Sequence, residues 1–388
     1  MKPVLITDGL WRKTLAAVRS LGKRGVPVIV GERTRLAPAL WSRYASRRYL
    51  YPSARLQAES FLARLSQILA RERVRVLLPM EEETLLIILR HRDAIGRDVA
   101  IPFTEPEKIE RIRDKAQLFR RAESLGIPMP KTWYPESAEE VERIGREAAF
   151  PVVIKPRVST GAVGLRYAAD ATELTTAWNE VAARFPQPIV QDYIPEGGGA
   201  FGASVLVGPQ GERLASFVHR RLREYPVKGG ASTLRVSVRD PQLVEITFRI
   251  LESVGWLGVA MAEFRYDPRD GLPKLIELNP RFWGALNLAI QAGVDFPWLL
   301  YRMALGEPIE PVHDYRQGVV GRWVLHGDLM HYLTNPNRRR MQPSFWQFRG
   351  PDWHYDISSW SDPLPTVATI LSFLLLLYDK EIRAFLKR

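Results

Sequence analysis

Cysteine is absent from the 388 residues of this chain. Disulfide scaffolds, thiolate metal centres and cysteine nucleophiles are thereby excluded, and no redox feature points to secretion. The amino terminus, Met1 to Asp8, runs directly into a strand pattern. It lacks the apolar stretch and small-residue cleavage site of a secretory leader, so a cytoplasmic location is the expectation. The apolar run Val367 to Tyr378 falls short of the roughly 20 residues that a membrane span needs. The first β–α turn lacks G-x-G-x-x-G, which removes support for a dinucleotide site. No internal repeat or low-complexity tract is present, and the chain is too long for one simple core, so two or three lobes are expected.

What is abundant is positive charge. Lys and Arg number 55 against 43 Asp and Glu, a net charge of +12. Such a field favours anionic partners: nucleotides, acidic metabolites, acidic lipid or nucleic acid. The arginines are scattered through nearly every segment, however. The cluster Arg338-Arg339-Arg340 lacks the interleaved aromatics and recognisable module of a nucleic-acid binder, so no nucleic-acid partner is expected.

Val4 to Thr7, Val26 to Val30 and Val74 to Pro79 read as strands, with a helical pattern between Leu10 and Leu21. Strands alternating with helices predict a doubly wound parallel sheet, which takes ligands beyond the carboxyl ends of its strands. This α/β domain is assigned to residues 1–103. Thr104-Glu105-Pro106-Glu107 fits a capping box opening a helical region whose apolar stripe runs from Ile109 to Leu125. A second α/β domain is assigned to 104–310, with a small lid subdomain at about 130–188. A Trp-rich carboxy-terminal extension with an apolar helix follows at 311–388. The basic end of that extension makes weak peripheral membrane contact through 364–388 a secondary reading.

Chemistry concentrates in the segment Gly258 to Arg281. Asp267-Pro268 and Asp270-Gly271 are turn dipeptides flanked by strand-forming residues, which predicts a hairpin. Folding about that turn sets Glu263 opposite Glu277, and strand alternation puts Glu277, Asn279 and Arg281 on one face. Facing carboxylates repel unless a cation relieves them. Carboxylate and amide oxygens are hard ligands of the kind magnesium takes. A solvated charged hairpin is the plain alternative.

Upstream, Phe150 to Pro156 is a buried strand ending in Lys155, followed by the small-residue loop Ser159-Thr160-Gly161-Ala162-Val163-Gly164. Such a loop lets backbone N–H groups approach phosphate, and lysine serves as a point charge there. Pro188 to Gly199 is a strand running into an extended connector able to meet an adenine edge.

In this order and spacing the motifs resemble the ATP-grasp superfamily, in particular its carboxylate–amine ligase-like branch and its members similar to the carbamoyl-phosphate synthase large chain. The resemblance spans about residues 105–305 and implies an ATP-grasp fold. It implies that ATP is held by Lys115, Lys155, the lid residues Ser159, Thr160, Gly161 and Gly164, and the hinge Gln191, Asp192, Tyr193 and Ile194. Glu196 is the candidate for the ribose. Magnesium, with manganese as the alternative, would be held by Glu263, Glu277 and Asn279. Gln191 departs from the acidic residue that many members carry at the hinge, and the lid loop has fewer glycines than many.

The implied reaction joins a carboxylate to an amine through an acyl phosphate, giving ADP and phosphate. Arg281 is the candidate to hold the acyl-phosphate oxygens or the substrate carboxylate; its alternative is a salt bridge to Glu263 or Glu277. The basic stretch Val218 to Arg235 offers Arg221 and Arg235 as forks for a substrate carboxylate or phosphate. His219 reads as structural. Partners are then small-molecule carboxylates and amines, with a homodimer as the candidate assembly. Two competing readings stay open: a carboxylase or carbamoyl-phosphate type activity, and a non-catalytic nucleotide-binding or membrane-docking protein.

Overall fold

The computed structural model describes residues 1–159, 163–227 and 229–374. Thr160 and Gly161 of the lid loop lie outside the described residues, as does the end of the apolar run with the basic tail.

The first sheet has four parallel strands, β1 (Val4–Ile6), β2 (Val28–Glu32), β3 (Arg47–Leu50) and β4 (Val76–Leu78), in the order β3-β2-β1-β4. β1, β2 and β4 are continuous runs of buried residues, as expected of strands covered on both faces. β3, Arg-Arg-Tyr-Leu, has no apolar run to announce it, because it is a charged edge strand. The helix Arg12–Lys23 follows β1 with only a short loop between.

The second sheet is a small antiparallel unit of β5 (Thr132–Trp133), β6 (Val152–Lys155), β7 (Arg166–Ala168) and β8 (Ile189–Asp192), in the order β5-β8-β6-β7. The helices Ala138–Glu147 and Ala171–Ala182 pack on it around Val141, Ile154, Leu174 and Trp178. This unit reaches Asp192, past the lid boundary drawn at 188, because β8 pairs with both β5 and β6.

The third sheet carries seven strands: β9 (Ala200–Val207), β10 (Arg213–Tyr225), β11 (Ala231–Val238), β12 (Gly258–Tyr266), β13 (Pro273–Asn279), β14 (Val320–Arg322) and β15 (Trp353–Tyr355). Its order is β13-β12-β9-β10-β11-β14-β15. The last two strands correct the picture of 311–388 as an appendage. β14 pairs with β11 and β15 with β14, so the carboxy-terminal segment completes the central sheet. Its aspartates reach back across the molecule: Asp362 accepts from Arg19 at 2.9 Å and Asp328 lies 3.1 Å from Arg223, all four side chains being buried.

Two local expectations also change. The apolar stripe from Ile109 to Leu125 is two helices, Pro106–Arg113 and Lys115–Ser124, broken at Asp114. Asp114 is extended and its carboxylate accepts from the N–H of Ala116 at 2.9 Å, capping the second helix. Thr104 makes no cap; its hydroxyl donates to Glu105 instead, while Pro106 does occupy the first turn. Among the described residues no helix is long and apolar enough to cross a membrane.

Candidate active site

The hairpin β12–β13 has the register that its turn predicts. Glu263 pairs with Glu277 and Met261 with Asn279. Asp267 organises the turn by accepting from the Arg269 N–H at 2.9 Å, and Gly271 adopts the positive φ that closes it. A bulge between Glu263 and Phe264 tightens the strand beside the carboxylates. The amide of Asn279 lies 3.3 Å from Glu277 Oε1 and 3.5 Å from Glu263 Oε1, so three oxygen-bearing side chains converge. Burial, then the charge of Glu277, push the Glu263 carboxyl above its usual range, while Arg221 pulls it back. Arg221 forms an ion pair with Glu263 and also lies 3.7 Å from Glu224. A cation therefore already sits on one of the two facing carboxylates.

No three acidic or histidine side chains among the described residues form a metal cage. Magnesium binds through one or two carboxylates and takes its other ligands from water and phosphate, and the facing Glu263 and Glu277 offer such a pair. The oxygen donor set is of the right hardness, and a divalent cation would relieve both the burial of the Glu263 carboxylate and its repulsion by Glu277.

The break at Asp114 sets Lys115 at the start of a helix and turns it toward the hairpin. Its Nζ lies 3.9 Å from Glu277 and 3.5 Å from the hydroxyl of Ser159. Arg157 fixes the same corner, donating to Asp114 at 2.5 Å, while the Lys115 N–H donates to Arg157 O at 2.9 Å. A narrow cleft between lid and hairpin is lined by Lys115, Val158, Ser159, Glu277 and Asn279. A wider depression beside Leu50 and Arg64, on the edge of the first sheet, holds none of these groups.

Lys155, at the end of β6, is buried and donates to Gln191 Oε1 at 2.7 Å. Burial, then the neighbouring charge of Lys115, lower it to about 7. Gln191 in turn donates to Thr132 at 2.8 Å, so the hinge side chain serves Lys155 and the lid. The N–H of Asp192 donates to Lys131 O at 2.9 Å and that of Tyr193 to Pro151 O at 3.3 Å. These backbone donors are spent within the protein, which moves the candidate base contact to Ile194 and beyond. Burial raises the Asp192 carboxyl. Ile194 is buried and Glu196 is exposed on the connector. Gly164 has φ +74°, and a side chain there would collide with Pro156 and Phe185.

The three arginines have different placements. Arg221 lies in the site. Arg281 donates to Phe282 O at 2.9 Å, and its Nε is buried with no partner. The salt bridge to Glu263 considered for Arg281 is made by Arg221 instead. Arg235 is corrected as an open fork: it is fully buried and ion-paired with Asp356, itself 1% exposed. His219 is buried against Phe217 and held well below its usual value by burial, then by Arg221, Arg235 and Arg12. It is a neutral packing group.

Sequence reasoning missed a further set of groups. Lys13 contacts Glu81 at 2.6 Å and donates to Phe282 O at 3.1 Å. Arg12 donates to Ser232 O at 3.1 Å and lies 4.0 Å over the ring of Trp323. The available signal was their position, immediately beyond the first strand of a parallel sheet.

Residues 185–325 match the family model described as ATP-grasp in the biosynthetic pathway with Ter operon. The chain is 25% identical over 226 residues to a carbamoyl phosphate synthase large chain, C-terminal section, of Methanopyrus kandleri, covering 56% of this chain and 42% of that one. It is 25% identical over 173 residues to the D-alanine–D-alanine ligase of Pseudomonas putida, covering 43% of this chain and 54% of that one. The chain thus spans about half, or less, of the curated relatives it matches.

Among solved structures, the biotin carboxylase domain dimer of the Hydrogenobacter thermophilus 2-oxoglutarate carboxylase, in complex with MgADP, ADP and bicarbonate, superposes with a TM-score of 0.66 at 18% identity. That match covers 82% of this chain and 73% of the other. N5-carboxyaminoimidazole synthetase of Staphylococcus aureus superposes with a TM-score of 0.64 at 14% identity, covering 82% and 80%.

Proposed function

We propose that this chain, which carries the ATP-grasp fold, is an ATP-dependent ligase joining a carboxylate to an amine, with Mg-ATP giving ADP and phosphate. The observation that carries the reading is the convergence on one cleft of Lys115, Ser159, Glu277 and Asn279, with Glu263 facing Glu277 across the hairpin. Lys115 and Lys155 would hold the phosphates. Ser159, with Thr160, Gly161 and Gly164, would close the lid over them. Gln191 positions Lys155, and the connector from Ile194 to Glu196, beyond the spent donors of Asp192 and Tyr193, would receive adenine and ribose. Glu263, Glu277 and Asn279 would hold magnesium, which supplies charge neutralisation on the phosphates and polarises the transferred phosphoryl group.

Phosphoryl transfer asks a protein chiefly for positioning and charge. An oxygen of the substrate carboxylate attacks the γ-phosphorus, the bond to the β-phosphate oxygen breaks, and ADP leaves. The amine then attacks the acyl carbon, phosphate leaves with the electron pair of its bond, and the amine proton passes to solvent. Arg281, two residues past Asn279 and with a buried, unpartnered Nε–H, would hold the acyl-phosphate oxygens. The lid excludes water that would otherwise hydrolyse this intermediate. No step needs a protein nucleophile.

A carboxylase or carbamoyl-phosphate type activity is the second reading, favoured by the carbamoyl phosphate synthase relative and the biotin carboxylase neighbours. A homodimer is the assembly that fits the dimeric neighbour. Phosphate release from Mg-ATP across pairs of acids and amines tests the proposal. Release that needs both partners supports the ligase; release with bicarbonate alone would favour the second reading.

A further inference from the structure

The helix Arg12–Lys23 begins with two cations and has no acidic residue in its first turn. This is the wrong charge for the positive end of a helix. Arg12 is also desolvated among like charges: burial, followed by the opposing effects of Asp356 on one side and Arg235 and Arg221 on the other, leaves it lowered to about 9. Its Nη2 bonds Ser232 O, its plane rests on Trp323, and its Nη1 is buried with no partner. The Nε of Arg221 is likewise buried and unpartnered. Asp356 lies 3.6 Å from Arg12 but is already ion-paired with Arg235. Each of the two side chains keeps about a tenth of its surface exposed, 10% for Arg12 and 12% for Arg221.

Space for Arg12 has been left by the loop that follows the metal-ligand strand. A Cβ on Gly284 would come within 2.5 Å of Arg12 Nη2. Lys13, one residue on, holds Phe282 O of the same loop. The start of the first helix is thus fastened to this loop by Lys13 and to β11 by Arg12, which retains an unused donor. Buried donors without partners are costly, and a charged acceptor satisfies them best.

Resting on the ligase reading, we infer that Arg12 and Arg221 form a subsite for a second anionic group on the acid substrate. The substrate is then a dianion: one carboxylate reacts beside Arg281, and the other anionic group, a carboxylate or a phosphate, sits on the Arg12 side. The guanidinium of Arg12 distinguishes this role from simple charge, because lysine cannot hold Ser232 O through one nitrogen and present a second, fixed donor to an anion.

The test is calorimetric titration of the protein loaded with Mg-ADP. The probes are succinate and glutarate as dicarboxylates, 3-phosphoglycerate as a phosphorylated acid, and butyrate as the monoanion. The expected result is that one class of dianion binds at least about tenfold more tightly than butyrate, as one charge-assisted hydrogen-bonding group is worth. Which class does so tells carboxylate from phosphate. Arg12→Gln and Arg12→Lys should each abolish the preference while leaving Mg-ADP affinity unchanged. Gly284→Ala, which displaces the guanidinium without removing its charge, should weaken it in the same direction. Equal binding of dianions and butyrate by the wild type, or a preference that survives Arg12→Gln, would overturn the inference. Failure of Mg-ADP to bind at all would instead strike the ligase reading itself.

Discussion

Two hairpins of the central sheet, β12–β13 and β10–β11, are both dense in charge, and their charges have different fates. On β12–β13 the carboxylates Glu263 and Glu277 face each other at one register position, and Glu277 opens to the cleft. On β10–β11 the arginines mostly turn inward. Arg235 pairs with Asp356 and Arg223 contacts Asp328 at 3.1 Å, both pairs being buried. The first hairpin holds a repulsion that a ligand can relieve. In the second, charge is neutralised by carboxylates arriving from just past β15 and from the segment after β14. Frustrated charge is thus a candidate for function, and satisfied charge marks architecture.

Breaking the satisfied side has the largest expected effect. Asp356→Ala strips the counter-charge from Arg235 and should cost about 3–5 kcal/mol, the penalty of an uncompensated buried charge. A fall in the chemical denaturation midpoint measures it, and a change under about 1 kcal/mol would contradict a structural role for the pair. Breaking the frustrated side should do the opposite. Glu277→Gln removes the carboxylate repulsion, so the ligand-free protein should unfold at the same or a higher temperature. Its Mg-ATP-dependent phosphate release should fall on the order of 100-fold, since even outer-shell partners of a metal cost about 10–100-fold.

A subtler comparison uses Lys155. Buried and lowered to about 7, it is largely neutral at pH 8 without ligand. Phosphate placed beside it favours the charged form and raises its value. Nucleotide binding at pH 8 should therefore take up protons, seen as a binding enthalpy that varies with the ionisation enthalpy of the buffer. Lys155→Gln should remove that dependence.

The smallest effect belongs to His219, whose folded value is held well below 6.5. Above pH 6.5 neither folded nor unfolded chain carries the proton. As pH falls through that value the unfolded chain gains it and the folded chain does not, so stability is lost toward acid. His219→Phe should flatten the slope of melting temperature between pH 6.5 and 5.

The hairpin β12–β13 was legible because its turn chemistry is local: Asp267-Pro268 and Asp270-Gly271 fix the fold-back, and strand period then places Glu263 against Glu277. The parallel sheet was legible from buried runs such as Val4–Ile6. What escaped depends on contacts distant in sequence. β15 has no strand signature of its own and forms by pairing with β14. Asp356 is 121 residues from Arg235, so the stretch containing Arg235 read as a free basic fork. Asp114 broke a continuous apolar stripe because its carboxylate competes for backbone N–H groups. Arg12 and Lys13 carry no motif, and only the fold brings them to the hairpin's end.

The proposed magnesium–nucleotide site rests on the facing glutamates and Asn279. Calorimetric titration of ADP with and without magnesium, into the wild type and Glu277→Gln, tests it most directly. Magnesium should tighten ADP binding to the wild type, and Glu277→Gln should lose this tightening while retaining weak, metal-free binding. Equal tightening in both proteins, or no ADP binding by the wild type, would contradict it.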